Sequence, residues 1–144
     1  MDDEFQDAVD WEVFQRSRTE LGAGFVRILG YFREDGEKSV AKIEAAMQSK
    51  DAASLVLPAH TLKSEARQFG AQPLGEIAEE IELAARRSLE MRLFPDEILP
   101  SVAKLRPLYQ RTMELFEKEI NPLVERRSGG FGRSGAANQD FGRL

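Results

Sequence analysis

The sequence predicts an all-α protein, an antiparallel four-helix bundle with an additional N-terminal helix and a disordered C-terminal tail. Nearly every apolar residue recurs at steps of three and four, which is the period of an amphipathic helix. No stretch shows the strict alternation or the Val, Ile and Thr enrichment of β-strands. The 144 residues suffice for one domain with a core but not for two ordinary domains. Amphipathic helices joined by short loops bury their apolar stripes most simply in such a bundle.

The N-terminal part of the chain predicts two helices. A short opening helix, at about residues 9–16, carries Trp11 and Phe14 and should cover one end of the bundle. The longest helix should cover residues 20–49, although two glycines weaken its middle by about 1 kcal/mol each relative to alanine. Its apolar stripe consists of Phe25, Ile28, Leu29, Phe32, Val40, Ile43 and Met47.

A third helix should follow Asp51, whose carboxylate can cap its first turn, and should stop at Gly70. Its apolar stripe consists of Leu55, Ala59, Leu62, Ala66 and Phe69. Pro58 complicates this segment, because proline lacks a backbone donor and clashes with the preceding turn. The helix is therefore either kinked at Pro58, or a short turn precedes a main helix that starts near Leu57.

A fourth helix should begin at Pro73, because proline suits the first helical position. Its inner face should contain Leu74, Ile77, Ile81 and either Ala84 or Ala85, and its outer face Glu79, Glu80 and Glu82. Arg86 and Arg87 favour its C-terminal end, where cations complement the helix dipole.

The last helix should open at Asp96, after Pro95, and a kink is expected from Pro100 and Pro107. One side of it carries Ile98, Val102, Leu105, Tyr109, Phe116, Ile120 and Leu123. From Ser128 the chain is rich in Gly and Ser and has no periodic apolar face. We therefore predict a helical domain over residues 1–127 and a flexible tail over residues 128–144.

The composition excludes several classes of function. The absence of cysteine removes disulfides, thiol nucleophiles and thiolate metal sites, and a single histidine removes histidine-rich metal sites. A net charge of −5 argues against nucleic-acid binding. No apolar run is long enough to span a membrane, and the acidic start lacks the features of a signal peptide. We expect a cytoplasmic protein that binds a protein partner or a small ligand.

The single histidine, His60, lies on the polar side of the third helix. At 100° per residue it falls about 140° from the apolar stripe, with Lys63 and Arg67 at about 80° and 120°. The three side chains should therefore share an exposed ridge, with Ser64 beside them. An exposed imidazole has a reference pKa of about 6.5 and so offers a nitrogen lone pair at neutral pH. Spacing alone fits either a phosphate-carrying histidine with two neutralising cations or an ordinary basic patch.

The residues around His60 resemble the signature of a known family. Residues 59–71 read AHTLKSEARQFGA, which is similar to the Ala-His-Thr-Leu-Lys-Gly-Ser-Ala-x-x-Leu-Gly-Ala pattern of histidine phosphotransfer (HPt) domains. The likeness continues through Leu74, Ile77, Ala78 and Ile81, with Glu82 near the family's usual Leu-Glu pair. It covers roughly residues 10–120.

The resemblance implies that His60 is the phosphorylated residue and Lys63 the cation beside the phosphate. It implies a monomeric phosphoryl carrier with no ATP site and no cofactor of its own. Its partners would be receiver domains of response regulators or hybrid histidine kinases, which hold the Mg²⁺. Arg67 would be a more distant cation, and Ser64 and Gln68 would belong to the docking surface.

Two departures from the family pattern concern partner choice and transfer rate. Ser64 replaces a glycine that lets the partner approach, and Glu65 replaces a small residue. Glu65 falls near −80° on the helical wheel, away from His60, so it should not repel a phosphate. One alternative is a helical interaction module that binds a receiver or kinase without phosphotransfer. A hydrolase that uses His60 as a general base is disfavoured, because the sequence suggests no paired nucleophile.

Overall fold

The computed structural model describes residues 7–121, and these residues contain helices and no strand. The helices are α1 (Trp11–Leu21), α2 (Phe25–Gln48), α3 (Ala53–Gln68), α4 (Gln72–Met91) and α5 (Leu99–Ile120). Two short 3₁₀ turns, Gly22–Gly24 and Asp96–Ile98, precede α2 and α5. The all-α prediction is confirmed. None of these helices is long and apolar enough to span a bilayer.

Helices α2 to α5 form the bundle, and α3 and α4 share its most extensive interface. Small buried residues allow this close approach: Ala59 and Ala66 on α3, and Gly75, Ala78 and Ala85 on α4. The core is rich in aromatic rings, with five phenylalanines almost fully buried: Phe14, Phe25, Phe32, Phe69 and Phe116. The additional N-terminal helix packs on this core, since the Phe14 ring stacks on Phe116 with centroids 5.1 Å apart.

Glycine geometry sets the boundary between α1 and α2. The predicted limits, residues 9–16 and 20–49, are wrong, because α1 continues to Leu21 and α2 begins only at Phe25. Gly22 has φ +56°, a conformation that residues with a side chain rarely adopt, and it ends α1. Gly36 has a packing role inside α2, because a Cβ there would lie only 2.6 Å from Cε1 of Tyr109.

The start and end of α3 follow the sequence closely. Asp51 accepts hydrogen bonds from the backbone N–H and the hydroxyl of Ser54, at 3.2 and 2.7 Å, so the predicted capping role is confirmed. The helix includes Pro58 and starts at Ala53, which excludes the alternative start near Leu57. Gly70 follows the helix with φ +84°, and its carbonyl accepts a hydrogen bond from the Asp10 N–H at 2.7 Å. Residue 70 therefore turns the chain and anchors the segment before α1.

The last two helices differ from their predicted limits by short distances. Helix α4 begins one residue before Pro73 and ends at Met91, so the two arginines expected at its end lie more than a turn inside it. Asp96 opens a 3₁₀ turn rather than α5. Pro100 lies in the first turn of α5, where its missing N–H removes no helical hydrogen bond. Leu123 and the predicted tail from Ser128 lie outside the described residues.

Candidate functional site

His60 lies on the solvent side of α3, as its position on the helical wheel predicts. Its neighbours Ala59 and Leu62 are fully buried, whereas half of the His60 side chain is exposed. The histidine is therefore mounted on a rigid, well-packed helix. A reacting group from solvent can reach the ring without a rearrangement of the core.

Glu82 from α4 contacts the His60 ring, which the sequence interpretation did not anticipate. The prediction that Glu82 lies on an outer face is wrong, because only 5% of its side chain is exposed. Its Oε2 atom lies 3.1 Å from His60 Nδ1, accepts a hydrogen bond from Arg86 Nε at 3.0 Å and makes an ion-pair contact of 2.9 Å with Arg86 Nη2. Its Oε1 atom makes an ion-pair contact of 2.9 Å with Lys63 Nζ. A buried carboxylate is tolerated here because basic groups surround it.

The surroundings of Glu82 determine which nitrogen of His60 carries the proton. Burial by itself would raise the pKa of Glu82, but the contacts from Lys63, Arg86 and His60 outweigh burial and lower this pKa. Glu82 is therefore an ionised carboxylate, which can only accept hydrogen bonds. In the neutral imidazole, Nδ1 must then be the protonated nitrogen. This leaves Nε2 with the lone pair.

Of the two cations predicted on the exposed ridge, Lys63 is placed differently by the structure, whereas Arg67 is exposed as predicted. Only 19% of the Lys63 side chain is exposed, and its ammonium group is held by Glu82. Arg67 donates to Glu79 at 2.6 Å, and its aliphatic part lies so close to Gly75 that a Cβ there would be 3.1 Å from Arg67 Cγ. Arg67 thus connects α3 to α4 two turns from His60. The structure does not bring it to the ring.

Ser64 and Gln68 are exposed on α3, one and two turns beyond His60, as their assignment to a docking surface requires. Glu65 points away from His60 toward α2, where it meets the carboxyl group of Asp35. Its Oε1 atom is buried, and no described residue donates a hydrogen bond to it. Burial raises the pKa of Glu65 to about 7, and the nearby charge of Asp35 adds to the rise.

An apolar side chain beside His60 was not identified from the sequence. Leu57, one turn before His60, is 70% exposed and lines a groove between α2 and α3 together with Pro58 and Thr61. Lys38 and Lys42 of α2 line the other side of this groove. The sequence did contain a signal for this exposed apolar side chain, because Leu57 falls on the polar side of the predicted helix. No three metal-binding side chains lie together within residues 7–121.

The buried position of Glu82 could also have been recognised from a pattern in the sequence. Gly75, Ala78, Glu82 and Ala85 follow one another at steps of three, four and three, and all four are buried. Such a row of small residues beside the apolar stripe indicates a second face on which another helix packs closely. Glu82 lies within that row, and α3 is the helix that covers it.

Comparisons with known proteins agree with this fold. The described helices resemble the crystal structure of histidine-containing phosphotransfer protein B from Pseudomonas aeruginosa PAO1, with a TM-score of 0.55 and 24% sequence identity. That match covers 76% of this chain and 96% of the other, and at this identity it establishes a shared fold. No curated protein matches the chain. The family model of the Hpt domain matches residues 27–120, which include His60, Lys63 and Glu82. The chain belongs to the Hpt domain family.

Proposed function

We propose that this chain is a phosphoryl carrier that accepts a phosphoryl group on His60 from the phospho-aspartate of one receiver domain and passes it to another. The observation that supports this best is the half-exposed His60 ring with its Nδ1 atom 3.1 Å from the buried carboxylate of Glu82. Membership of the Hpt domain family supports the same role. In this proposal the chain carries phosphate and does not act as a kinase.

The transfer step is a direct displacement at phosphorus. The lone pair of His60 Nε2 attacks the phosphorus atom of the acyl phosphate, in line with its bond to the aspartate oxygen. An N–P bond forms, the P–O bond breaks, and the aspartate leaves as a carboxylate with the bonding electron pair. No proton has to move, because Nδ1 keeps its hydrogen and the phosphorylated ring becomes a cation. Transfer to a second receiver reverses these bond changes.

Glu82 is the positioning residue of this step. Its carboxylate fixes the tautomer in which Nε2 is the nucleophile, and it accepts a charge-assisted hydrogen bond from the cationic ring that forms. Hydrogen bonds to charged groups contribute about 1.5–3 kcal/mol. Because this bond is stronger with the cationic ring than with the neutral ring, it favours the product of phosphoryl transfer over the free histidine.

The proposed docking surface surrounds His60 on α3. It combines the exposed side chains of Leu57, Ser64 and Gln68 with the groove between α2 and α3. An apolar side chain next to the reacting residue supplies contact area, and the polar side chains around it leave the surface soluble when no partner is bound. Transient signalling contacts are often smaller than about 1,200 Å² in total, so a docking surface of this kind need not extend far beyond the residues around His60.

The test of this proposal is incubation of the chain with a phosphorylated receiver domain. We expect a label on the chain that is labile in acid and stable in base, as an N–P bond requires. The variant His60→Gln should acquire no label and should keep its melting temperature within a few degrees, because an exposed side chain contributes little to packing. A labelled His60→Gln variant would identify a different acceptor. Equal receiver binding by both proteins, with neither labelled, would support the interaction-module alternative.

A further inference from the structure

We propose that Glu65 and Asp35 form a proton-dependent contact between the two walls of the groove next to His60, and that receiver binding weakens when this contact loses its proton. The inference rests on the proposed function, because the groove belongs to the proposed docking surface. It gives Glu65, one of the two departures from the family pattern, a role in partner binding rather than in the transfer step.

The two carboxyl groups belong to opposite walls of the groove. Asp35 of α2 lines it together with Pro58 and Thr61 of α3. Glu65 follows Thr61 by four residues on α3, which places both side chains on the same side of that helix. The carboxyl group of Glu65 lies within hydrogen-bonding reach of the carboxyl group of Asp35. The pair therefore joins α2 to α3 at the Thr61 end of the groove.

This contact is a hydrogen bond only while one proton is present. Two ionised carboxylates are acceptors and cannot donate to each other, whereas a carboxylic acid can donate to a carboxylate. The Glu65 Oε1 atom is buried, and no described residue donates a hydrogen bond to it. Burial and the charge of Asp35 raise the pKa of Glu65 to about 7. The pair therefore holds its proton at pH 6 and has largely lost it at pH 8.

On α2, two lysines share the groove wall with Asp35. Lys38 and Lys42 lie one and two turns beyond it and line the same groove. Their positive charges can balance the carboxylate of Asp35 on this wall. They do not donate to the buried oxygen of Glu65, so they cannot take the place of the shared proton.

On α5, Tyr109 is a titratable group that the charge of Glu65 reaches. Burial raises the pKa of Tyr109 most strongly, and the charges of Glu37 and Glu65 add to the rise. Its hydroxyl group donates to the carbonyl oxygen of Arg33, so it remains neutral at ordinary pH and does not balance Glu65. His60 faces α4 instead. The change of charge within the pair near pH 7 therefore comes from Glu65.

Loss of the proton changes the groove itself. The hydrogen bond between its walls is replaced by repulsion between two carboxylates, which favours separation of α2 from α3 or a turn of Glu65 toward solvent. Either movement alters the surface that a receiver has to match, and a displacement of about 1 Å can cost on the order of 100-fold in a positioned reaction. The protonated pair should therefore bind a receiver more tightly, and receiver binding should in turn favour the proton.

The experiment measures the dissociation constant between the full chain and the receiver domain of the labelling test, which carries a fluorophore, at pH 6, 7 and 8. It compares wild type with Glu65→Gln, Asp35→Asn and Glu34→Gln. The amide of Glu65→Gln can donate to Asp35 at every pH, and the amide of Asp35→Asn can donate to Glu65. Glu34→Gln is the matched control, because Glu34 is an exposed neighbour on α2 that lines the groove with α5 instead.

We expect the dissociation constants of wild type and Glu34→Gln to rise about three- to tenfold between pH 6 and pH 8 relative to that of Glu65→Gln. Asp35→Asn should flatten the profile as Glu65→Gln does. Changes of charge elsewhere in the chain or in the receiver affect all four proteins alike. The comparison among them therefore isolates the carboxyl pair.

Equal pH profiles for wild type and Glu65→Gln, with the wild type still labelled by the receiver, would overturn this inference and leave His60 as the carrier. A profile of Glu34→Gln as flat as that of Glu65→Gln would overturn it as well, since a general loss of negative charge would then explain the effect. If Glu65→Gln unfolds, Asp35→Asn decides by the same comparison. Absence of both receiver binding and label at every pH would overturn the proposed function and this inference together.

Discussion

The two interfaces of α3, one with α4 and one with α2, each contain a glutamate, and the two glutamates ionise in opposite ways. Glu82 lies between α4 and α3, contacts Lys63, Arg86 and His60, and has a lowered pKa. Glu65 lies between α3 and α2, meets Asp35, and has a pKa raised to about 7. Burial acts in the same direction on both groups, since it disfavours the charged form of any carboxyl group.

The difference shows that partners, rather than burial, determine the charge of a glutamate in this bundle. On the α4 side, basic groups keep Glu82 ionised, so the His60 ring meets a constant negative charge at neutral pH. On the α2 side, a second carboxyl group and a buried oxygen without a donor favour the protonated form of Glu65. One side of α3 is thus electrostatically fixed, and the other changes its charge near neutral pH.

The largest effect should come from Glu82→Gln, which removes the fixed charge. A neutral amide no longer selects the Nδ1–H tautomer or balances the cationic ring. The labelling of His60 by phosphoramidate, a small phosphate donor that needs no receiver, should therefore slow on the order of 100-fold. The control is Glu76→Gln, a change at an exposed position of the same helix, which should label as wild type. Circular dichroism at the assay temperature verifies that the variant is folded. Equal labelling rates for Glu82→Gln and wild type would show that Glu82 has only a structural role.

A smaller effect is expected from Ser64→Leu, which changes the exposed edge of α3 between the two interfaces. A bulky side chain one turn beyond His60 should hold the receiver's aspartate away and slow receiver-dependent labelling at least about tenfold. Labelling by phosphoramidate, which needs no docking, should stay near the wild-type rate. Ser64→Gly should transfer at least as fast as wild type, although glycine lowers helix stability slightly. An unimpaired Ser64→Leu would place the docking surface on another side of His60.

The α2 side should make stability depend on pH. Folded protein keeps the Glu65 proton up to about pH 7, whereas the unfolded chain loses it near the usual value of 4.5. The folded state binds more protons between these values, so the free energy of unfolding should fall as the pH rises through this window. Because Glu65 retains some solvent contact, we expect a fall of about 1–2 kcal/mol rather than the full value of the shift.

Glu65→Gln should flatten most of this slope and stabilise the protein at pH 8 by about 1 kcal/mol, because an amide can donate to Asp35. Burial also raises the pKa of Glu117, so part of the slope should remain. Urea unfolding at pH 5, 6, 7 and 8 measures both effects. Glu76→Gln, which changes an exposed carboxylate, should keep the wild-type slope. If Glu65→Gln and wild type lose the same stability between pH 5 and pH 8, Glu65 is not the source of the pH dependence.

The smallest effect on labelling should come from Lys63→Ala. The Lys63 ammonium group contacts Glu82, so its loss should act indirectly, through Glu82, and slow phosphoramidate labelling by about threefold. Arg67→Ala is the matched comparison, because Arg67 binds Glu79 two turns from His60 and should leave the rate unchanged. If Arg67→Ala slowed labelling more than Lys63→Ala, the result would contradict this ranking and would support a role of Arg67 at the phosphate.

The helical period of the sequence was sufficient to predict much of this molecule. The apolar stripe of α3, from Leu55 to Phe69, placed His60 toward solvent, and the structure confirms this orientation. Asp51 and Gly70 marked the two ends of the helix, because capping and positive φ angles are local properties of the chain. The resemblance around His60 indicated the family that residues 27–120 match.

The charges around His60 were decided by the tertiary structure. Glu82 and Arg86 follow His60 by more than 20 residues, and only the packing of α4 on α3 brings them to the ring. The same packing covers most of the Lys63 side chain and pairs it with Glu82, whereas a helical wheel of α3 alone assigns Lys63 to solvent. The pairing of Glu65 with Asp35 likewise depends on how α2 lies against α3. Periodicity shows which side of a helix is apolar. The burial and ionisation of a charged residue at the edge of that side depend on the charges that the neighbouring helix supplies.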